Sequence, residues 1–160
     1  MRNELGMRNL TMGMFLGIDA SASGLTAERL RMDVIANNIA NANTTRTERG
    51  GAYHRRYVVF EPREREPKSF EQTLIRAIGM SRQTSEGVRA VAIEEDDQPG
   101  PMVYDPGHPD ANADGYVEKP NVNIVSEMVD MITAQRAYEA NSTAINAAKT
   151  MATKALEIGK

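Results

Sequence analysis

Several residue types that often carry chemistry are scarce or missing from this sequence. It contains no cysteine, which excludes disulfides, cysteine-zinc sites and thiol catalysis. It contains no tryptophan and only three phenylalanines, so its core must be thin and mostly aliphatic. No apolar run reaches the roughly 20 residues that a membrane-spanning helix needs. With two histidines and none of the common catalytic motifs, the sequence predicts a protein that is not an enzyme and that uses no cofactor or metal.

A strong charge of either sign is also missing. The formal net charge of the 160 residues is −3, which disfavours a role in binding nucleic acid. The first 20 residues lack the continuous apolar stretch of a secretory signal, because Gly13 and Gly17 interrupt it and Asp19 follows. We therefore expect neither a cleaved signal peptide nor direct insertion into a membrane.

Proline is absent from both ends of the chain. All seven prolines lie between residues 44 and 120, together with seven of the twelve glycines. Two proline-free ends around such a middle predict two helices that flank an irregular or β-rich insert. The predicted segments are a flexible N-terminal extension (1–14), an N-terminal helix (15–43), a β-rich middle domain (44–120) and a C-terminal helix (121–160).

The N-terminal helix is predicted from apolar residues at alternating spacings of four and three. Asp19 or Ser21 could cap its start, because a short side-chain oxygen accepts hydrogen bonds from the first free amides. Such a spacing is typical of a coiled-coil seam. The residues of this stripe are Ile18, Ala22, Leu25, Arg29, Met32, Ala36 and Ile39.

The C-terminal helix carries two adjacent stripes of apolar and small residues and few charges. Asn121 or Asn123 could cap its start. From Asn123 to Ile158 it would be about 54 Å long at 1.5 Å per residue, which is more than the width of a globule of this mass. We therefore expect an elongated α+β protein whose terminal helices pair as a coiled coil and contact further neighbours.

The middle segment is predicted to form short strands joined by turns. The strand candidates are residues 53–60, 87–93, 102–104 and 116–118, and a capping box at Ser69–Gln72 predicts a short helical turn over residues 73–78. Residues 44–68 carry seven basic and four acidic residues, whereas residues 86–118 carry nine acidic residues and one basic residue. Opposite charges of this kind suit head-to-tail association, or else simply a solvated surface.

Two other functions have some support in the middle segment. Asp110, Asn112, Asp114 and Gly115 match the first half of a calcium-binding loop, but the bidentate Glu expected at its twelfth position is Asn121. The same residue types form ordinary turns. The arginines near the start of the segment could contact phosphates, which the acidic half disfavours. A calcium-binding or other self-contained interaction module is therefore the alternative to a structural subunit.

The sequence resembles the bacterial flagellar rod and hook proteins. Residues 30–45 (LRMDVIANNIANANTT) resemble the N-terminal signature of that family, and residues 136–141 and 154–160 resemble its C-terminal helix. Residues 103–106 with residues 114–123 resemble the proximal rod members in particular. The resemblance extends from Phe15 to Lys160. Residues 1–13 extend beyond the usual family start, which leaves Met1, Met7, Met12 and Met14 as possible starts.

The resemblance implies a structural subunit of the flagellar basal-body rod, the hollow drive shaft that transmits torque and passes exported subunits. It implies export by the flagellar type III apparatus without a cleaved signal, and assembly in the periplasm or cell wall. The implied partners are further copies of the chain and the rod subunits FlgB, FlgF, FlgG and FliE. We expect the assembly interface to comprise Leu25, Met32, Asn37, Asn38, Ile39, Asn41, Met128, Met131, Tyr138, Asn141, Ile145 and Leu156. The alternative for the asparagines is that they form local turns.

Overall fold

Apart from the single helical residue Leu74, two long helices and four strands make up the secondary structure of the residues that the structure describes. The computed structural model describes the backbone of residues 2–63, 74 and 87–158, and the side chains of residues 15–63, 74 and 87–157. The predicted α+β class is confirmed. The elements in chain order are α1 (Arg2–Ala40), β1 (Arg56–Pro62), β2 (Val88–Glu95), β3 (Met102–Tyr104), β4 (Tyr116–Glu118) and α2 (Ile124–Ile158).

Helix α1 begins earlier than the sequence pattern predicts. It starts at Arg2 rather than Phe15, so helical backbone extends into the segment predicted to be a flexible extension. The leucines, methionines and arginines of this stretch are good helix formers, and they outweigh its two glycines. Asp19 and Ser21 consequently lie inside the helix instead of capping it. The helix ends at Ala40, three residues before the predicted boundary, and residues 41–43 form a turn.

Helix α2 has the predicted cap. The side-chain oxygen of Asn123 accepts hydrogen bonds from the backbone N–H groups of Val125 at 3.0 Å and Ser126 at 3.2 Å. These bonds satisfy two amides that the first helical turn leaves without a partner. The helix then continues for 35 residues. Neither helix, over its described residues, is long and apolar enough to cross a membrane.

The strands form two separate two-stranded sheets. β1 pairs with β2, and the bonds from Arg63 N to Gly87 O and from Asp96 N to Arg55 O connect opposite ends of the pair, so it is antiparallel. β3 pairs with β4 antiparallel, with Val103 opposite Val117. The four predicted strands are thus confirmed. The short helix predicted over residues 73–78 lies outside the described residues, apart from Leu74.

The chain divides into two compact units that cut across the predicted segments. Unit 1 comprises Met1–Ala27, Phe60–Arg89 and Tyr138–Lys160, and unit 2 comprises Glu28–Val59 and Ala90–Ala137. Among the described residues, unit 1 contributes one buried hydrophobic side chain, Ala27. The core of unit 2 is larger and contains Val34, Ile35, Asn38, Ala42, Ala52, Tyr53, Val117, Pro120, Glu127 and Ala134.

Candidate assembly site

A buried asparagine lies at the centre of unit 2. Asn38 of α1 is fully buried, and its side-chain nitrogen donates to Glu127 Oε2 at 2.9 Å and to the backbone oxygen of Arg56 at 2.8 Å. Its side-chain oxygen accepts from the Tyr53 hydroxyl and from the Arg56 backbone N–H, both at 3.0 Å. The amide has two donors and two acceptor positions, and all four are used. Asn38 therefore joins α1, α2 and the start of β1.

The partner carboxylate on α2 is also fully buried. Glu127 accepts a 2.6 Å hydrogen bond on Oε1 from Arg55 Nε, in addition to the bond from Asn38. A second nitrogen of the same guanidinium lies 3.3 Å from Asp130. A buried carboxylate is costly unless it is paired and hydrogen-bonded, and here both of its oxygens are engaged. The Arg55 side chain is therefore what makes burial of Glu127 tolerable.

The network continues through Asn121 and Tyr53. Asn121 accepts from the Arg55 backbone N–H at 2.6 Å and donates to the backbone oxygens of Asp96 and Gln98. Asn121 was one of two predicted helix caps, but here it connects the loop before α2 to the ends of β1 and β2. Burial raises the pKa of the Tyr53 hydroxyl above its usual value, which keeps it a neutral donor to Asn38.

The side of α2 opposite this network is apolar and exposed. Val125, Met128, Val129 and Ile132 have exposed fractions between 53% and 71%. Their spacing places them on one helical face, whereas Glu127 and Ala134 on the other face are fully buried. We call these four residues the exposed stripe of α2. A contiguous apolar surface of this kind is typical of a protein–protein contact.

The predicted interface residues do not share one environment. Asn38 is buried inside unit 2, so it stabilises the fold of the subunit and is not exposed to a partner. Asn37 and Asn41 are engaged in the turn that ends α1: Asn37 donates to the Asp33 oxygen, and Asn41 donates to the Asn37 oxygen. Of the other predicted residues, Met128, Tyr138 and Leu156 are exposed, and Leu25, Met32, Ile39, Met131, Asn141 and Ile145 are half-buried.

The face of α1 that is most buried differs from the predicted stripe. Ala27, Val34, Ile35 and Asn38 are buried, whereas the stripe from Ile18 to Ile39 contains only half-buried and exposed residues. Asn38 determines which face turns inwards, because its partners lie in α2, at the start of β1 and just before that strand. The apolar spacing predicted that the opposite face of α1 would be the packed one, because the polar Asn38 does not belong to an apolar pattern. The predicted stripe therefore remains partly available to a neighbour.

Three residues of the network were not identified as functional from the sequence. Arg55 and Tyr53 were placed in a predicted strand, where the arginines were considered as possible phosphate contacts, and Glu127 was assigned no place in a buried site. Met131 lies four residues after Glu127, and Ala134 lies three residues after Met131. These two residues are less exposed than the other helix positions near Glu127. A carboxylate within such a stripe is a detectable signal of a buried ion pair, although it does not identify the arginine.

The side chains of residues 110–115, which resemble half of a calcium-binding loop, form hydrogen bonds that stabilise the turn. The Asn112 side-chain oxygen accepts from the backbone N–H groups of Asp114 and Tyr116, and the Thr45 hydroxyl donates to Asp110 at 2.8 Å. Throughout the part of the chain that the structure describes, no three His, Asp or Glu residues are grouped so as to hold a metal ion. The geometry therefore matches an ordinary Asx turn.

The opposite charges of the middle segment pair within unit 2. Arg56 lies 2.7 Å from Glu95, and Arg49 lies 3.7 Å from the same carboxylate. Arg46 lies 3.7 Å from Asp110. These charges were expected to suit either association between copies or a solvated surface. Their pairing inside the chain weakens the argument for head-to-tail contact and also for phosphate binding.

The chain is similar to flagellar rod proteins over almost its whole length. A family described as "Flagella basal body rod protein" matches residues 18–46, and "Flagellar basal body rod FlgEFG protein C-terminal" matches residues 113–158. The "Flagellar basal-body rod protein FlgC" of Borreliella burgdorferi is 50% identical, over 92% of this chain and 98% of that protein. The protein of the same name from Bacillus subtilis is 46% identical, over 93% of this chain and 100% of that protein. The one from Salmonella typhimurium is 36% identical, over 89% of this chain and 95% of that protein.

Proposed function

The chain belongs to the FlgC family of flagellar basal-body rod proteins, and from this premise we propose how its helices build the rod. It is a structural subunit of the proximal rod and not an enzyme, and it assembles with other basal-body proteins. The single observation that carries the proposal is the exposed stripe of α2, an apolar helical face that a lone subunit leaves in water.

In the proposed subunit the two helices pair as an antiparallel coiled coil. Each unit supports this with one contact: Gly24 meets Asn141 in unit 1, and Asn38 binds Glu127 in unit 2. Along the sequence, Asn38 lies 14 residues after Gly24, and Glu127 lies 14 residues before Asn141. Fourteen residues are two heptads, the repeat of a coiled coil.

Neighbouring subunits then cover the exposed stripe of α2 and the half-buried residues Leu25, Met32 and Ile39 of α1. Two different faces on one subunit produce heterologous contacts, which extend into an open helical array. A hollow rod built from elongated subunits is such an array. We propose that FlgB, FlgF, FlgG, FliE and further copies of this chain supply the covering faces.

We further propose that the chain reaches the periplasm or cell wall through the flagellar type III export apparatus, without a cleaved signal. Export of an unfolded chain is compatible with weak terminal helices. The described residues of unit 1 bury little apolar surface, so their helices gain most of their packing energy from neighbours. The described helical residues of unit 1, 15–27 and 138–157, would thus become fully ordered only at the growing tip of the rod.

The test introduces a charge into the exposed stripe. Val129→Asp should leave the monomer folded, because the side chain is exposed, and it should block incorporation into the rod, because the contact would bury an unpaired carboxylate. Ser126→Asp is the matched control, since it adds the same charge at an exposed position of the same helix outside the stripe. Both variants replace the chromosomal copy, and motility and the subunit content of purified basal bodies are measured.

We expect at least a tenfold loss of incorporated subunit for Val129→Asp, and near-normal incorporation for Ser126→Asp. Circular dichroism of the purified monomers establishes whether both variants retain the same helix content. Normal motility of a folded Val129→Asp variant would contradict the proposed interface. Equal failure of the two variants would show that added charge on α2, rather than the exposed stripe, is what the rod does not tolerate.

A further inference from the structure

The hairpin of β3 and β4 has an exposed aromatic face. The pairing of Tyr104 with Tyr116 and of Met102 with Glu118 places these four side chains on one side of the sheet, because side chains alternate along a strand. The alternate residues Val103 and Val117 lie on the other side, where Val117 is 2% exposed. We call Met102, Tyr104, Tyr116 and Glu118 the outer hairpin face.

The aromatic rings of this face are exposed but held in place. Tyr104 is 64% exposed and Tyr116 is 42% exposed, and their ring centroids lie 5.2 Å apart in an edge-to-face arrangement. Gly115 has a positive φ of 79°, and a Cβ there would lie 2.9 Å from Tyr104 Cε2 and 3.2 Å from the Pro106 ring. The glycine therefore lets the Tyr104 ring lie against the backbone. A ring fixed before binding loses little conformational entropy when a partner covers it.

The hairpin is acidic around these rings. Residues 101–119 contain four carboxylates and one lysine. Asp105 and Asp114 are exposed, and Glu118 belongs to the face itself. Tyrosine rings attract a cation over their faces, and nearby carboxylates strengthen that preference. The surface thus has the composition that receives lysine or arginine side chains.

We propose that the outer hairpin face docks a basic surface of a different basal-body protein, whose arginine or lysine side chains stack on Tyr104 and Tyr116. The inference rests on the proposed function. A second copy of this chain is a poorer match, because the net charge of the chain is −3 and because Arg55 and Arg56 already pair closely with carboxylates of their own unit. The contact is separate from the helical interface, since neither helix contributes to this face.

The test places a photo-cross-linking residue in the full chain inside the cell. Tyr104→p-benzoylphenylalanine reports contacts of the outer hairpin face, and Tyr57→p-benzoylphenylalanine is the control, because Tyr57 is exposed on β1 outside the hairpin. Basal bodies are purified after irradiation, and cross-linked peptides are identified by mass spectrometry. The experiment is repeated with Asp114→Lys and Glu118→Lys together, and with Asp97→Lys as the charge control.

We expect position 104, and not position 57, to cross-link to a lysine- or arginine-rich segment of another basal-body protein. The double charge reversal should lower that yield about tenfold, and Asp97→Lys should leave it unchanged. A cross-link to another copy of this chain, a cross-link to a neutral or acidic segment, or no cross-link from an incorporated subunit would overturn the inference. Absence of the unsubstituted chain from purified basal bodies would overturn the proposed function and the inference with it.

Discussion

Units 1 and 2 differ in what connects their parts of the two helices. In unit 2, Asn38 and Glu127 are fully buried and are bonded to Arg55 and Tyr53, which also anchor β1. In unit 1, Gly24 of α1 lies close to the side chain of Asn141 of α2. A bond from Val88 N to the Ser23 hydroxyl at 3.0 Å attaches β2 to α1 there.

The difference indicates that the two units depend on their neighbours to different degrees. In unit 2 the buried side chains of Asn38 and Glu127 find their hydrogen-bond partners within the unit, so this part of its geometry does not depend on a neighbour. The described residues of unit 1 contain one buried hydrophobic side chain, Ala27. We therefore expect unit 2 to be the stable part of the free subunit and unit 1 to depend on assembly.

Limited proteolysis should show the largest effect. In the free monomer we expect cleavage within residues 15–27 and 138–157 to be roughly a hundredfold faster than within residues 28–59 and 90–137. Segments that open at little free-energy cost are cut first, whereas a core opens only near the global unfolding free energy. Mass spectrometry of the fragments over time measures both rates. Similar rates in the two units would remove the distinction and would contradict folding on assembly.

Removing the arginine that pairs with Glu127 should give the next largest effect. Arg55→Ala leaves a buried carboxylate without its cation, and we expect the free energy of unfolding to fall by about 3 kcal/mol. Urea denaturation of the monomer measures this. Arg49→Ala is the control, because its pair with Glu95 is 3.7 Å long and exposed, and it should cost less than about 0.5 kcal/mol.

A further variant separates the lost charge pairing from lost packing. Glu127→Gln in the Arg55→Ala background removes the unpaired charge while keeping an oxygen and a nitrogen near Asn38. The double variant should recover part of the free energy of unfolding that Arg55→Ala loses. If the double variant is less stable than Arg55→Ala alone, the buried charge is not the source of the loss.

The smallest expected effect is the coupling between Gly24 and Asn141. A Cβ on residue 24 would lie 2.7 Å from the Asn141 side-chain nitrogen, so packed helices would make Gly24→Ala and Asn141→Ala interdependent. In the free monomer we expect a coupling energy below about 0.5 kcal/mol, because unit 1 is not held together without neighbours. A double-mutant cycle followed by urea denaturation measures it.

The same cycle in unit 2 provides the comparison. Asn38→Ala combined with Tyr53→Phe removes both ends of a buried 3.0 Å hydrogen bond, and its coupling should be about 1 kcal/mol. Coupling of equal size at Gly24 and Asn141 would show that unit 1 is already packed in the monomer.

Much of the local structure could be predicted from the sequence, because it depends on neighbouring residues. The Asn123 cap and the strands followed from residue types within a few positions. The start of α1 was predicted wrongly, because Asp19 and Ser21 looked like caps although good helix formers precede them. The exposed stripe of α2 was recognised only through Met128, since apolar spacing shows that a face exists but not which side is covered.

The sequence by itself determined that two proline-free helices flank a strand-rich middle, and its motifs were sufficient to identify the flagellar rod family. Only the tertiary structure decided which helical faces turn inwards. Asn38 and Glu127 are 89 residues apart, and Arg55 is 72 residues from Glu127. No local pattern specifies which distant groups will meet. Once they meet, a buried carboxylate and a buried amide allow very few arrangements. Leaving either group without a hydrogen bond would raise the free energy by more than an alternative packing could lower it.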